Sequence, residues 1–436
     1  MGTEPMIDRR LNMAVTQWAR RGSRLSASVA MGAAIVLVAS ACATGGGEES
    51  GGGETGGGEG GGGALSIGTL LPQTGALAFL GPPEIAGVDL AIKEINEAGG
   101  VNGEDVTVLH RDSGDTTTNL ATQSTTELLN EGVAAVVGPA SSGVAKTVIN
   151  QITGAGVIQF SPANTTPDFT DWDDDGFYWR TAPSDVLQGQ VLGNFMVSQG
   201  ASNVGMIVLN DAYGTGLAAN IRETVEGAGG TIVAESMFNE GDSQFTSQVD
   251  EVVGADPDAI AVITFDQAKS IVPLLTSRGI SADQLYFVDG NVADYSEDFD
   301  PGTLEGAYGT QPGSFAADDF KERLAEVDDS LTVWNYAGES YDATVLLALA
   351  AAQAGSTDPA AIRDELQAVS RDGEKCTEVA ECFELIEAGT DIDYDGISGP
   401  VTMSENGDVT EATMGIYKFD GENRPQPDME EQGSLE

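Results

Sequence analysis

Seven short clusters along the chain carry side chains able to hold a small polar molecule. They are Gln73-Thr74-Gly75, Asp112-Ser113, Gly138-Pro139-Ala140-Ser141-Ser142-Gly143, Ser161-Pro162-Ala163-Asn164-Thr165, Asn210-Asp211-Ala212-Tyr213-Gly214, Phe265-Asp266 and Asp289-Gly290-Asn291. Each stands directly after an apolar run. Hydroxyls and amides supply donors and acceptors, and a helix start presents unpaired backbone N–H groups that favour an anion. Ser141-Ser142 leads the set, because a helix N-terminus suits a carboxylate. Any one of these residues alone is equally an ordinary N-cap or turn. Their recurrence at several strand ends is what points to a binding cleft.

Catalytic constellations are missing from the same sequence. There is no Gly-x-Ser-x-Gly, and His110 is the one histidine. A lone histidine completes neither a triad nor a metal site. It follows Val106-Thr107-Val108-Leu109 and is expected at a strand end. An extracytoplasmic hydrolase is therefore the weaker class, and no enzyme activity and no cofactor are expected. Asp171-x-Asp173-x-Asp175-Gly176 and Asp391-x-Asp393-x-Asp395-Gly396 resemble the first half of a calcium loop. Their twelfth positions hold Ala182 and Thr402 instead of the bidentate glutamate, so no metal is expected.

The elements that must position these clusters alternate. Leu65–Leu71 reads as a buried strand stopped by Pro72, and Ile85, Val88, Ile92 and Ile95 share one helix face ended by Gly99-Gly100. Strand Val106–Leu109, helix Thr117–Leu129, strand Ala134–Val137, helix Val144–Ile152 and strand Val157–Phe160 come after it. The pattern restarts with helix Val186–Met196 and strand Val204–Leu209. It continues with helix Gly216–Ala228, strand Thr231–Ala234, helix Phe245–Val253, strand Ala259–Thr264, helix Ile271–Ser277 and strand Leu285–Val288. Helices Asp318–Val327, Tyr341–Ala354 and Pro359–Val369 come next, and a hairpin is expected from Gly399–Met403 and Met414–Phe419 around Asn406-Gly407. Such alternation predicts an α/β protein of two doubly wound layers of similar size.

Residues 1–41 read as an export signal. Arg9, Arg10, Arg20, Arg21 and Arg24 precede the apolar stretch Val29–Ala39, which is too short to span a membrane. Ala39-Ser40-Ala41-Cys42 resembles a bacterial lipobox, with Cys42 as the lipidated residue. Residues 45–63 hold 13 glycines with interspersed glutamates and predict a flexible tether. Cys376 and Cys382, an even pair in an exported chain, read as a disulfide. The formal charge of −50 disfavours nucleic acid and anionic membrane as partners, and reads as a solubility device suited to salt-rich surroundings.

Taken together, the residues resemble the leucine/isoleucine/valine-binding proteins, the branched-chain amino acid group of importer receptors. The marks are Gly68-Thr69-Leu70-Leu71-Pro72-Gln73-Thr74-Gly75; Gly87, Ala91, Ile95-Asn96 and Gly99-Gly100-Val101-Asn102-Gly103; Val137-Gly138-Pro139 with Ser141-Ser142; Ser161-Pro162-Ala163; Tyr213-Gly214; and Ser398-Gly399-Pro400-Val401. They extend over about residues 65–420. The resemblance implies a type I periplasmic binding fold: two Rossmann-like lobes joined by three crossovers, with ligand between them. Crossovers are then expected near 182, 310 and 398. That gives a first lobe of 65–182 and 311–397, a second of 183–310 and 398–420, and a tail 421–436, after the signal 1–41 and a tether 42–64.

The resemblance also assigns site residues. Ser142, assisted by Thr165 and adjoining Ser141, would hold a ligand carboxylate. The Ala163 carbonyl and Asp289 would meet an ammonium group. Tyr213 and Phe265 would wall the cleft. Phe79 and Leu80 stand where a tyrosine is common, which implies a more apolar wall. Expected partners are an amino acid or analogue and the permease subunits of an ABC importer. Membrane contact is expected only through the lipid, on the extracytoplasmic face, and the protein as a monomer.

Overall fold

Strand β1 (Ser66–Leu71) shows why the apolar runs become buried strands: Ile67 and Leu71 enter the core on one face, and Leu70 enters a separate core on the other. The computed structural model describes residues 63–435. The expected signal segment, Cys42 and nearly all of the expected tether lie outside the described residues. After β1 come α1 (Gly81–Glu97), β2 (Thr107–Asp112), α2 (Leu120–Glu131), β3 (Ala135–Val137), α3 (Ser142–Thr153), β4 (Ile158–Ser161) and β5 (Tyr178–Arg180). The five strands form one parallel sheet in the order β2-β1-β3-β4-β5. His110 lies inside β2, between Thr69 Oγ1 at 2.9 Å and Asp89 Oδ1 at 3.0 Å.

The chain then crosses to a second lobe. Its elements are α4 (Asp185–Ser198), β6 (Asn203–Leu209), α5 (Ala212–Gly227), β7 (Thr231–Phe238), α6 (Thr246–Gly254), β8 (Ala259–Ile263), α7 (Ala268–Ser277), β9 (Leu285–Phe287) and β10 (Tyr308–Pro312). The parallel order β7-β6-β8-β9-β10 repeats that of the first sheet. Helix α5 starts four residues earlier than the pattern of apolar residues suggests. Asp211 caps it, with Oδ1 accepting the Gly214 N–H at 2.8 Å. Gly214 is required there, since a Cβ would stand 2.1 Å from the Leu209 carbonyl oxygen.

A second crossing returns the chain to the first lobe through α8 (Asp318–Leu324), whose Phe320 and Leu324 join that lobe's core. Helix α9 (Ala337–Ala354) packs on α1 with Leu346, Leu347 and Leu349 fully buried, each contributing about 1.5–3 kcal/mol relative to exposure. No single helix among the described residues is long and apolar enough to cross a membrane. Helix α10 (Pro359–Leu366), β11 (Glu374–Cys376), α11 (Val379–Glu387) and β12 (Ile392–Tyr394) complete the lobe, and Cys376 is disulfide-bonded to Cys382. Asp342 anchors the segment just after β12. Its carboxylate accepts from Tyr394 Oη (2.8 Å), from the N–H of Ile397 (2.9 Å) and Ser398 (2.8 Å), and from Ser398 Oγ (2.6 Å).

Three expectations for the C-terminal part are corrected. Val401, Met403 and Val409 pack in the first lobe's core, so the third crossing falls after Val409 and not at 398. The expected hairpin reduces to one bridge, Met403–Val409. Met414–Phe419 belongs to β13 (Glu411–Phe419), antiparallel to β10. The supposed tail 421–436 contains β14 (Pro425–Ser434), which pairs antiparallel along the whole of β13. An acidic, proline-bearing strand at a sheet edge lacks the alternation by which strands are read, yet suits an edge that must not recruit another chain.

Candidate functional site

Both sheets place their first and third strands side by side, with the second strand outside the first. The order in which strands are added reverses at that point while these strands all stay parallel, which opens a crevice beyond their carboxyl ends. The loops after β3 and β4 and those after β6, β8 and β9 face each other there. The lobes are closed on one another: Glu240, after β7, accepts the Thr116 N–H at 3.2 Å and also its hydroxyl. Burial pushes the Glu240 carboxyl upward from its ordinary value.

At the centre is a pocket lined by Ser141, Ser142, Ala163, Leu80, Tyr213, Phe265 and Asp289, seven of the nine expected site residues. Its free volume in this closed state is only about 10 Å³, room for one water molecule. On the first-lobe side, Ser141 is the N-cap of α3, its Oγ accepting the Val144 N–H at 3.2 Å. Ser142 opens the helix, where backbone N–H groups lack intrahelical partners. Its Oγ faces the N–H groups of Thr165 and Thr166, each at 3.4 Å, and its own hydroxyl proton is free to donate. Thr165 is buried behind Ser142, and its hydroxyl has no hydrogen-bond partner.

On the second-lobe side Asp289 is buried, and three donors meet it. Tyr213 Oη donates to Oδ1 at 2.6 Å, Tyr336 Oη to Oδ2 at 2.6 Å, and Gln188 Nε2 to Oδ1 at 3.1 Å. Burial raises the Asp289 pKa, and these hydrogen bonds partly offset the rise. Tyr213 stacks on Phe265 with ring centroids 5.4 Å apart. Gly290 permits this packing, since a Cβ would stand 2.7 Å from the Phe265 ring. Phe79 is not in this pocket. It lines an adjoining chamber of about 410 Å³ with Tyr295, Leu331 and Val333, and Phe265 and Gly290 are the wall common to both.

Three residues at the site have no marker in the sequence. Tyr336 arrives from the loop before α9 in a left-handed conformation (φ 58°), and nothing in its neighbourhood marks it. Gln188 is one polar residue among many on α4; its Oε1 is buried without a partner. Asp185 follows the N-cap Ser184, and Ser-Asp is an ordinary helix start, which hides it. Both Asp185 carboxylate oxygens are buried without a hydrogen-bond partner. Burial, then the charge of Asp289, pushes its pKa well above the usual carboxylate range, and the nearby Thr165 hydroxyl opposes the shift only in part.

The loop bearing Thr165 is held from below by Arg180, whose side chain is fully buried. All five of its N–H donors are used. Nε and one Nη2 proton meet Asp408 at 2.6 and 2.9 Å, and the other Nη2 proton meets Thr170 Oγ1 at 3.1 Å. Nη1 meets the carbonyls of Asn164 and Thr166 at 3.2 and 2.8 Å. In the second aspartate-rich loop, Asp393 and Asp395 pair with Lys375 at 3.0 and 2.8 Å. Among the described residues no group of three or more His, Cys, Asp and Glu is placed to hold a metal.

Comparison with known proteins agrees with this architecture. The family model described as periplasmic binding protein matches residues 64–424. The chain is 27% identical to the chemotactic signal transduction system substrate-binding protein BasB of Halobacterium salinarum, covering 78% of this chain and 83% of that one. It is 26% identical to the leucine-, isoleucine-, valine-, threonine- and alanine-binding protein of Pseudomonas aeruginosa, covering 68% and 80%. Among solved structures, the Streptococcus pneumoniae branched-chain amino acid transporter substrate-binding protein LivJ, in complex with isoleucine, superposes with TM-score 0.69 at 24% identity, covering 85% of this chain and 99% of that one. A solute-binding protein of an ABC transporter from R. palustris, in complex with benzoate, superposes with TM-score 0.67 at 17% identity, covering 84% and 95%. With a match over so much of its length, the chain belongs to the periplasmic binding protein family, with the type I fold of that family.

Proposed function

We propose that the protein is the solute receptor of an ABC importer, tethered outside the cytoplasm by lipid on Cys42, and that it takes a small amino acid or amino-acid-like solute between its lobes. The observation that carries this is the opposed chemistry of the two walls. The Ser142 hydroxyl and the start of α3 offer donors to a carboxylate. Across from them, the carboxyl groups of Asp289 and Asp185 and Gln188 Oε1 gather acceptor oxygens that suit an ammonium group; those of Asp185 and Gln188 are buried without partners. An alkyl or aryl side chain would pass Phe265 into the chamber lined by Phe79 and Leu331.

The closed pocket holds no more than a water, so the lobes must separate to admit solute and then settle at a wider angle around it. Because each lobe supplies half of the contacts, solute favours the closed arrangement, which a permease can recognise. A thermal-shift screen against amino acids, amides, urea and aromatic acids tests this. A solute at a hundred times its Kd stabilises by about 2.7 kcal/mol. A flat response to every zwitterion and every organic acid in the screen would refute the proposal.

A second reading, favoured by the similarity to a chemotactic substrate-binding protein, is a receptor that signals instead of feeding a transporter. Cells lacking the protein would then keep uptake of the labelled solute and lose only their response to it.

A further inference from the structure

A separate chamber of about 250 Å³ lies where the chain crosses between lobes. Its walls come from the second crossing (Phe315), the segment before the third (Ser398), the loop before α9 (Trp334) and β13 (Tyr417). Phe315 and Tyr417 pack edge to face at 5.1 Å, and with Trp334 they supply aromatic faces to the chamber wall. Two acids line it: Asp294, which is paired with Arg424, and Glu339, which is only 5% exposed. Among the described residues no side chain donates a hydrogen bond to its carboxyl. Behind it stands Glu84, fully buried, with neither carboxylate oxygen partnered. The two cations on the chamber wall are already engaged: Lys321 with Asp318 at 3.5 Å and over the Trp334 ring, and Arg424 with Asp294 at 3.4 Å. Glu339 is therefore the chamber's acid without a cationic side chain beside it among the described residues.

We infer that this chamber is a second small-molecule site, distinct from the solute cleft, for a primary amine carried on a compact aromatic body. The ammonium group would meet Glu339, and the ring would lie among Phe315, Trp334 and Tyr417, where aromatic faces favour both apolar contact and a nearby cation. Burial holds the Glu339 pKa up at about 8, so without a ligand the acid keeps its proton, and a bound ammonium is the partner that lets it ionise. An occupant would also touch Tyr336 from the side opposite Asp289, since Tyr336 lines both cavities.

The test is calorimetric titration of the full chain with benzylamine, alongside quenching of Trp334 fluorescence with Trp334→Phe as the control. Saturable one-site binding is expected, weakened about tenfold or more by Glu339→Gln, with benzyl alcohol weaker than benzylamine by a similar factor. Ser314→Phe, at a half-buried position on the chamber wall, blocks the site while leaving Glu339 in place, and should abolish binding. Asp289→Asn in the cleft should leave benzylamine affinity unchanged. Absence of binding to the folded wild-type chain would overturn the inference. So would binding that survives both Glu339→Gln and Ser314→Phe, or binding that Asp289→Asn removes.

Discussion

Asp408→Asn should cost the first lobe more than any change at a comparable surface position. Arg180 is fully buried and directs two of its five donors at the two oxygens of Asp408. The asparagine keeps the shape and removes the countercharge, leaving a guanidinium in the interior without a compensating anion. Breaking a buried pair in this way costs about 3–5 kcal/mol, because the remaining charge cannot recover its hydration. The local loss should go further. Arg180 also holds the carbonyls of Asn164 and Thr166, the residues flanking Thr165. The loop that shapes the carboxylate end of the cleft therefore loosens together with the pair. Urea unfolding followed by circular dichroism measures the first effect, and solute titration the second. The double replacement Arg180→Met with Asp408→Leu should recover much of the stability, since apolar residues can replace a buried ion pair at little net cost. It should not recover solute affinity, because the two carbonyls are then unheld. A loss below about 1 kcal/mol for Asp408→Asn, within the range of ordinary surface substitutions, would refute the reasoning.

Stability should fall as pH rises from about 5 to 8. Burial raises Glu339 from 4.5 to about 8 and Asp211 from 3.8 to about 6 in the folded chain. In these windows the folded state keeps protons that the unfolded state has released, so rising pH favours unfolding. Melting curves across the range check this, and Glu339→Gln should flatten the upper part. Removing the Cys376–Cys382 bond with serines should cost about 2 kcal/mol, the loop-closure value for so short a loop, read by urea unfolding with and without reductant. Thr116→Val deletes one of the two contacts that Glu240 makes across the closed cleft. A loss of about 1 kcal/mol from this closed, solute-free form should widen the free protein in small-angle scattering and tighten apparent solute affinity by up to about fivefold, seen by titration.

Much of this fold is legible in the residues because its strands are buried on both faces. Val204–Leu209 and Ala259–Ile263 are continuous apolar runs that read directly as strands, and Asp211 after the first of them caps the helix that follows. Three-residue strands such as Tyr178–Arg180 and Ile392–Tyr394 are too short to show a period, and pairing alone makes them strands. Pro425–Ser434 looks like an acidic tail until β13 supplies its hydrogen bonds. At the site, Ser142, Tyr213 and Asp289 come directly after strands and can be found by position. Tyr336 cannot, because it reaches Asp289 only through the folding back of the third chain segment, 47 residues away. Gln188 and Asp185 are hidden by looking like a helix's ordinary surface and cap.

The most direct measurement is a calorimetric titration of the wild-type chain, Ser142→Ala and Asp289→Asn with leucine, isoleucine and benzoate. One saturable site is expected for at least one of these acids. Ser142→Ala should weaken every solute that binds. Asp289→Asn should weaken the amino acids by about tenfold or more, through loss of a charge-assisted bond, and spare benzoate, with the fold intact in both variants. Equal affinities in all three proteins would contradict a cleft that reads the two ends of its solute through Ser142 and Asp289.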